Sequence, residues 1–113
     1  MQPEKPRARR YAFAASIELV DLESDAEIRE QTSDLSLFGC QVVTANAWKV
    51  GTKVRIRVSH HGNVFTALGR VVNVRTKTGM GVTFTKIEPN NQIILEKWVS
   101  EIRDARERPF QNV

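Results

Sequence analysis

The sequence predicts a mainly β domain, a small antiparallel barrel or sandwich with one amphipathic helix at its C-terminal end. Three observations carry this. Val54-Arg55-Ile56-Arg57-Val58 alternates strictly between apolar and charged residues, as a strand with one face in a core must. Turn signals at His60-His61-Gly62-Asn63 and Lys77-Thr78-Gly79 separate runs rich in β-branched residues. Only beyond Pro89 do apolar residues, Ile94, Leu95, Trp98 and Ile102, recur at spacings of three and four.

Taken in order, residues 1–12 read as a flexible basic arm, 13–106 as a single domain and 107–113 as a tail. Within the domain, Ala14-Ala15-Ser16-Ile17-Glu18-Leu19-Val20 is a short mixed strand, and Leu22-Glu23-Ser24-Asp25 a turn. Ala26-Glu27-Ile28-Arg29-Glu30-Gln31-Thr32 is polar enough to predict an edge strand. Cys40-Gln41-Val42-Val43-Thr44 is β-branched and buried in character. In the strand 54–58, Val54, Ile56 and Val58 face one way while Lys53, Arg55 and Arg57 face the other. The turn at 60–63 closes a hairpin onto Phe65–Val74, and Gly79 leads into Met80–Phe84. Glycines 69, 79 and 81 suit bulges in a curled sheet. Pro89-Asn90-Asn91 starts the helix and Pro109 stops its mixed-sign extension.

The bulk numbers agree with one domain. The chain has 113 residues, 41% of them hydrophobic and 27% charged, enough to bury a core without a staple. One cysteine, Cys40, excludes an internal disulfide framework. With no signal-peptide core and no apolar run of membrane-spanning length, the expected location is cytoplasmic. The charge is unevenly placed: Lys5, Arg7, Arg9 and Arg10 stand against Glu4 alone, which puts +3 of the net +4 into ten residues. Such an arm attracts phosphate or acidic surfaces.

Asp34-Leu35-Ser36-Leu37-Phe38-Gly39 is the densest chemical signal, a carboxylate, a hydroxyl and a glycine at close spacing between two strand-like runs. By themselves these residues also describe a turn, with Asp34 and Ser36 bonding local amides and Gly39 bending the chain at a positive φ. With the arginines upstream, the sequence resembles the PilZ domain of bacterial cyclic di-GMP receptors. That family is marked by an Arg-x-x-x-Arg arm and an Asp/Asn-x-Ser-x-x-Gly segment, and Asp34, Ser36 and Gly39 fill the second. The resemblance continues through Val50–Val54, Gly69–Val72, Gly79–Phe84 and Leu95–Trp98.

It implies a six-stranded antiparallel β-barrel with a C-terminal helix, and a receptor that holds cyclic di-GMP between the arm and the second motif. The nucleotide-binding residues it implies are Arg7, Arg9, Arg10, Asp34, Ser36 and Gly39, with no metal and no catalytic residue. An arginine fork can donate in parallel to guanine O6 and N7 or to phosphate, and a carboxylate can accept from guanine N1–H and N2–H. The arm departs from the pattern: if Arg10 is the second arginine, Pro6 occupies the place of the first, and Arg7 stands one residue away. In an extended arm Arg7 and Arg9 would share one side and Arg10 the other.

Other residues read more plainly. His60-His61 lacks partners at metal-ligand spacing and reads as a surface turn. Cys40 and Trp98 read as core, Trp48 as a cover for a barrel end or a contact for a partner, and Arg70 as a solvated strand charge or a helper near the ligand face. Three functions follow: a nucleotide receptor acting on an unidentified downstream protein, a nucleotide-independent protein adaptor, and, with less support, a nucleic-acid binder using the basic arm and the stripe Lys53, Arg55 and Arg57.

Overall fold

Apolar side chains at every second position, Tyr11, Phe13, Ala15, Ile17 and Leu19 and again Val54, Ile56 and Val58, are all buried; a strand collects such residues on one face. The computed structural model describes residues 9–107. They form β1 (Tyr11–Ala12), β2 (Ser16–Asp21), β3 (Glu27–Leu35), β4 (Gly39–Val43), β5 (Lys53–His60), β6 (Asn63–Arg75), β7 (Gly79–Lys86) and α1 (Pro89–Glu107).

The strands pair in the order β3-β2-β5-β6-β7-β4, and β4 pairs back onto β3, so six strands close a ring. Every pairing is antiparallel. Closure leaves those strands without a free edge. The seventh, β1, continues the line of β2 along β3, with Tyr11 opposite Leu35 and Ala12 opposite Asp34. Thr32 bridges the gap between them. Its Oγ1 accepts from the Ala15 N–H at 3.0 Å and donates to the Phe13 carbonyl at 2.6 Å.

Two expectations change here. The polar strand predicted over 26–32 is no edge: β3 runs on to Leu35 and is paired on both sides. Its polarity belongs to the outward positions Glu27, Arg29, Gln31 and Ser33, all exposed. The strand expected from Ala14 is preceded by β1, which begins inside the stretch read as arm. Residues 1–8 of that arm and 108–113 of the tail lie outside the described residues.

The hairpin between β5 and β6 turns on His61 and Gly62, whose φ values of 48° and 80° fit a two-residue turn that matches the twist of its strands. The predicted irregularities in the sheet are present: the β6–β7 register shifts between Leu68 and Gly69 and between Val71 and Asn73.

Helix α1 lies against β6 and β1 and starts on proline, whose missing N–H is no loss in a first turn. Leu95, Trp98 and Val99 are its buried residues. The β6–β7 pairing starts at Leu68, and the Thr66 N–H before it is taken by Asn91 Oδ1 of the helix at 2.8 Å. Trp48 is half-buried against the core, its backbone N–H donating to Met80 Sδ at 3.4 Å. Among the described residues no helix is long and apolar enough to cross a membrane.

Candidate functional site

The motif straddles the turn from β3 to β4: Asp34 and Leu35 end one strand, Gly39 begins the next. Between them the Ser36 N–H bonds the Gly39 carbonyl at 2.9 Å. Ser36 Oγ accepts from the N–H groups of Phe38 at 3.1 Å and Gly39 at 3.2 Å, and donates to the Gly39 carbonyl at 3.3 Å. At 4% exposure this hydroxyl is committed to the loop. The Phe38 carbonyl in turn accepts from the Phe84 N–H at 2.8 Å and from Thr83 Oγ1 at 3.1 Å, which stitches the loop to β7.

Gly39 does not have the positive φ that a bend would suggest; the glycines that do are 51, 62 and 79. A Cβ on Gly39 would collide with the Val82 carbonyl oxygen and lie 3.1 Å from Thr83 Cα. Close approach of β4 to β7 therefore explains the glycine.

Asp34 is held outward. Its Oδ1 accepts from the Gln41 N–H at 3.1 Å, and both carboxylate oxygens lie 3.4 Å from Arg10 Nη1. The side chains are 26% and 48% exposed, so solvent reaches both. Arg9 takes another course, its guanidinium carbon 5.8 Å from the centre of the Tyr11 ring, within cation–π range. Buried Tyr11 anchors the end of the arm beside β3. The structure thus joins Arg10 to Asp34, keeps Ser36 and Gly39 as the frame behind them, and turns Arg9 to Tyr11. Arg7 lies outside the described residues.

Gln41 and Tyr11 are participants that the motif does not reveal. Gln41 acts through its backbone, which leaves no trace in residue type. Tyr11 was legible in the Tyr-x-Phe-x-Ala alternation. Next to Gln41, Cys40 is fully buried, and its thiol is pushed up to about 12 by that burial, with the Asp34 carboxylate adding and Arg10 opposing. Such a thiol is not a nucleophile at neutral pH.

His60 is more than a surface turn residue. Its ring lies 4.5 Å from Phe13, stacks at 3.8 Å on His61 and meets Trp98 edge-on at 5.7 Å. Burial, then the neighbouring His61, holds its pKa below the ordinary value, against the pull of Glu101. Among the described residues no three His, Cys, Asp or Glu side chains are grouped to hold a metal ion. Upstream of Asp34 along β3, Gln31 and Arg29 border a surface trough of about 810 Å³, completed by Ser16, Glu18, Arg57 and Ser59.

The PilZ domain family model matches residues 4–101. No curated protein matches. Among solved structures, the chain is similar to the PilZ domain with c-di-GMP of YcgR from Escherichia coli, at a TM-score of 0.69 and 18% identity, covering 93% of this chain and 97% of that one. It is similar to the PilZ domain of CeSA from a cellulose-synthesizing bacterium, at a TM-score of 0.65 and 18% identity over 84% of this chain and 98% of that one. The Bacillus subtilis inhibitor of motility MotI/DgrA has a TM-score of 0.72 and 18% identity; 94% of this chain is covered, but it spans only 54% of that protein's length.

Proposed function

Because this chain belongs to the PilZ domain family, we propose that it is a cyclic di-GMP receptor of bacterial second-messenger signalling, acting on a protein partner rather than as an enzyme, in the cytoplasm. The nucleotide lies between the arm arginines Arg7, Arg9 and Arg10 and the segment carrying Asp34, Ser36 and Gly39. One observation carries the reading: Arg10 and Asp34, 24 residues apart, converge on the outer rim of a loop fixed by backbone hydrogen bonds. The solved YcgR domain with c-di-GMP supports the choice of ligand.

The chemistry follows from the geometry. At 3.4 Å the Arg10–Asp34 contact is longer than the 2.7–2.9 Å or so of a strong charged hydrogen bond. An exposed pair of this kind contributes only about 0–1 kcal/mol, so a ligand can part it at little cost. A guanine N1–H and N2–H edge then donates to Asp34, and the freed Arg10 fork reaches guanine O6 and N7 or a phosphodiester oxygen. Ser36 and Gly39 act by holding the loop that presents Asp34.

A thermal denaturation series tests the ligand class. Excess cyclic di-GMP should raise the midpoint, while GMP at equal concentration should not; equal midpoints with and without cyclic di-GMP would remove the reading. Pro6, in the first arginine's place, favours a second reading, a nucleotide-independent PilZ adaptor. Retention of a specific partner by Asp34→Ala and Arg10→Ala, with no response to nucleotide, would select it.

A further inference from the structure

Of the charged stripe on β5 only Arg57 borders the trough above, and none of it touches Asp34 or Ser36. Lys53, Arg55 and Arg57 are exposed and alternate with buried Val54, Ile56 and Val58. Register places Arg70 of β6 directly opposite Lys53, Leu68 opposite Arg55, and Thr66 opposite Arg57. In the ring order the β5–β6 wall lies across the barrel from the β3–β4 pair that bears Asp34. Lys53 and Arg55 stand away from that pair, while Arg70, opposite Thr83 of β7 and through it two strands from Gly39, marks the edge of the wall nearest the motif.

Two features separate this wall from an ordinary solvated strand face. Like charges directly opposite on paired strands destabilise a sheet, and Lys53 beside Arg70 is such a pair. Among the described residues none of Lys53, Arg55, Arg57 or Arg70 forms an ion pair. Glu18 stands opposite Arg57, yet its carboxylate lies against Arg29 at 3.6 Å. Exposed aliphatics are set among these cations, Leu68 at 37% and Val72 at 40%.

We propose that the β5–β6 wall is the docking surface for a protein partner whose face carries carboxylates interspersed with apolar side chains. Carboxylates relieve the repulsion between Lys53 and Arg70, and the apolar groups cover Leu68 and Val72. Mixed aliphatic and cationic surface fits a protein better than single-stranded nucleic acid, which calls for exposed aromatic rings to stack its bases. Among the described residues, the one aromatic among the exposed large hydrophobics is Phe38, on the β3–β4 loop. The inference rests on the proposed function only for the existence of a protein partner.

The test uses the full chain and a labelled peptide of glutamates interspersed with leucines, with oligothymidylate and phosphatidylglycerol vesicles as rival probes, followed by fluorescence anisotropy. Wild type should prefer the peptide. Arg70→Glu should weaken it by about tenfold or more, and Lys97→Glu on α1 should leave it unchanged. Arg70→Glu should also raise the thermal midpoint, since it turns a like-charge pair into an opposite one; this shows that lost binding is not lost folding. Peptide binding equal in Arg70→Glu and Lys97→Glu, or a preference for oligonucleotide or vesicles, would overturn the proposal. A cyclic di-GMP titration of the same variants reads the nucleotide site separately, so failure of one claim is distinct from failure of the other.

Discussion

Ser36→Ala would take away the acceptor of two backbone N–H groups, the part-buried one of Phe38 and the buried one of Gly39. Leaving buried donors unpaired costs about 1–3 kcal/mol. Chemical denaturation of Ser36→Ala should show a loss of that order, with nucleotide affinity falling as the loop loosens. Gly39 belongs to the same frame through the closeness of β7 rather than through its own φ. Here the sequence is informative only in part. Asp-x-Ser-x-x-Gly records which residue types stand at the site, but the partners of Ser36 Oγ and the nearness of Val82 to Gly39 arise from backbone atoms, which every residue shares. Asp34 was legible as a ligand-facing carboxylate candidate; that Gln41 holds it in place was not.

At the scale of elements, the alternation of β5 and the three-and-four spacing of α1 could be read directly, because burial of one face writes a period into residue type. The junction of β1 and β2 could not. Its strands are interrupted at Phe13–Ala15, and the missing ladder bonds are supplied by one side chain, Thr32, through Ala15 N–H and Phe13 carbonyl. Thr32→Val keeps the shape and removes both bonds in a buried setting. It should lower stability by about 1–3 kcal/mol in a urea titration. It should also loosen β1, and with it Arg10, so affinity for nucleotide should fall although Thr32 never meets the ligand. The sequence makes β3 look like an edge for a related reason: polarity marks an outward face, and a closed barrel has outward faces without edges.

For the whole molecule, the partly buried His60 and the fully buried Cys40 act on the pH dependence from opposite sides. Burial holds His60 below its ordinary value of 6.5. As pH falls past that value the unfolded chain takes up a proton that the folded chain resists, so stability declines until the folded imidazole is also protonated. Cys40 works in the other direction. The unfolded thiol ionises near 9.0 while the folded one holds its proton to about 12, so stability declines as pH rises through that interval. Midpoints measured across pH should therefore fall at both ends; His60→Gln should flatten the acid side and Cys40→Ala the alkaline side.

The account depends most on the pairing of Arg10 with Asp34 as a nucleotide grip, and calorimetric titration with cyclic di-GMP tests it directly. Wild type should bind with a saturable heat, and Arg10→Ala should bind about tenfold or more weakly while unfolding at a similar midpoint, because its solvent-exposed ion pair with Asp34 adds little to stability. No heat from wild type at excess ligand, or undiminished binding by Arg10→Ala, would contradict it.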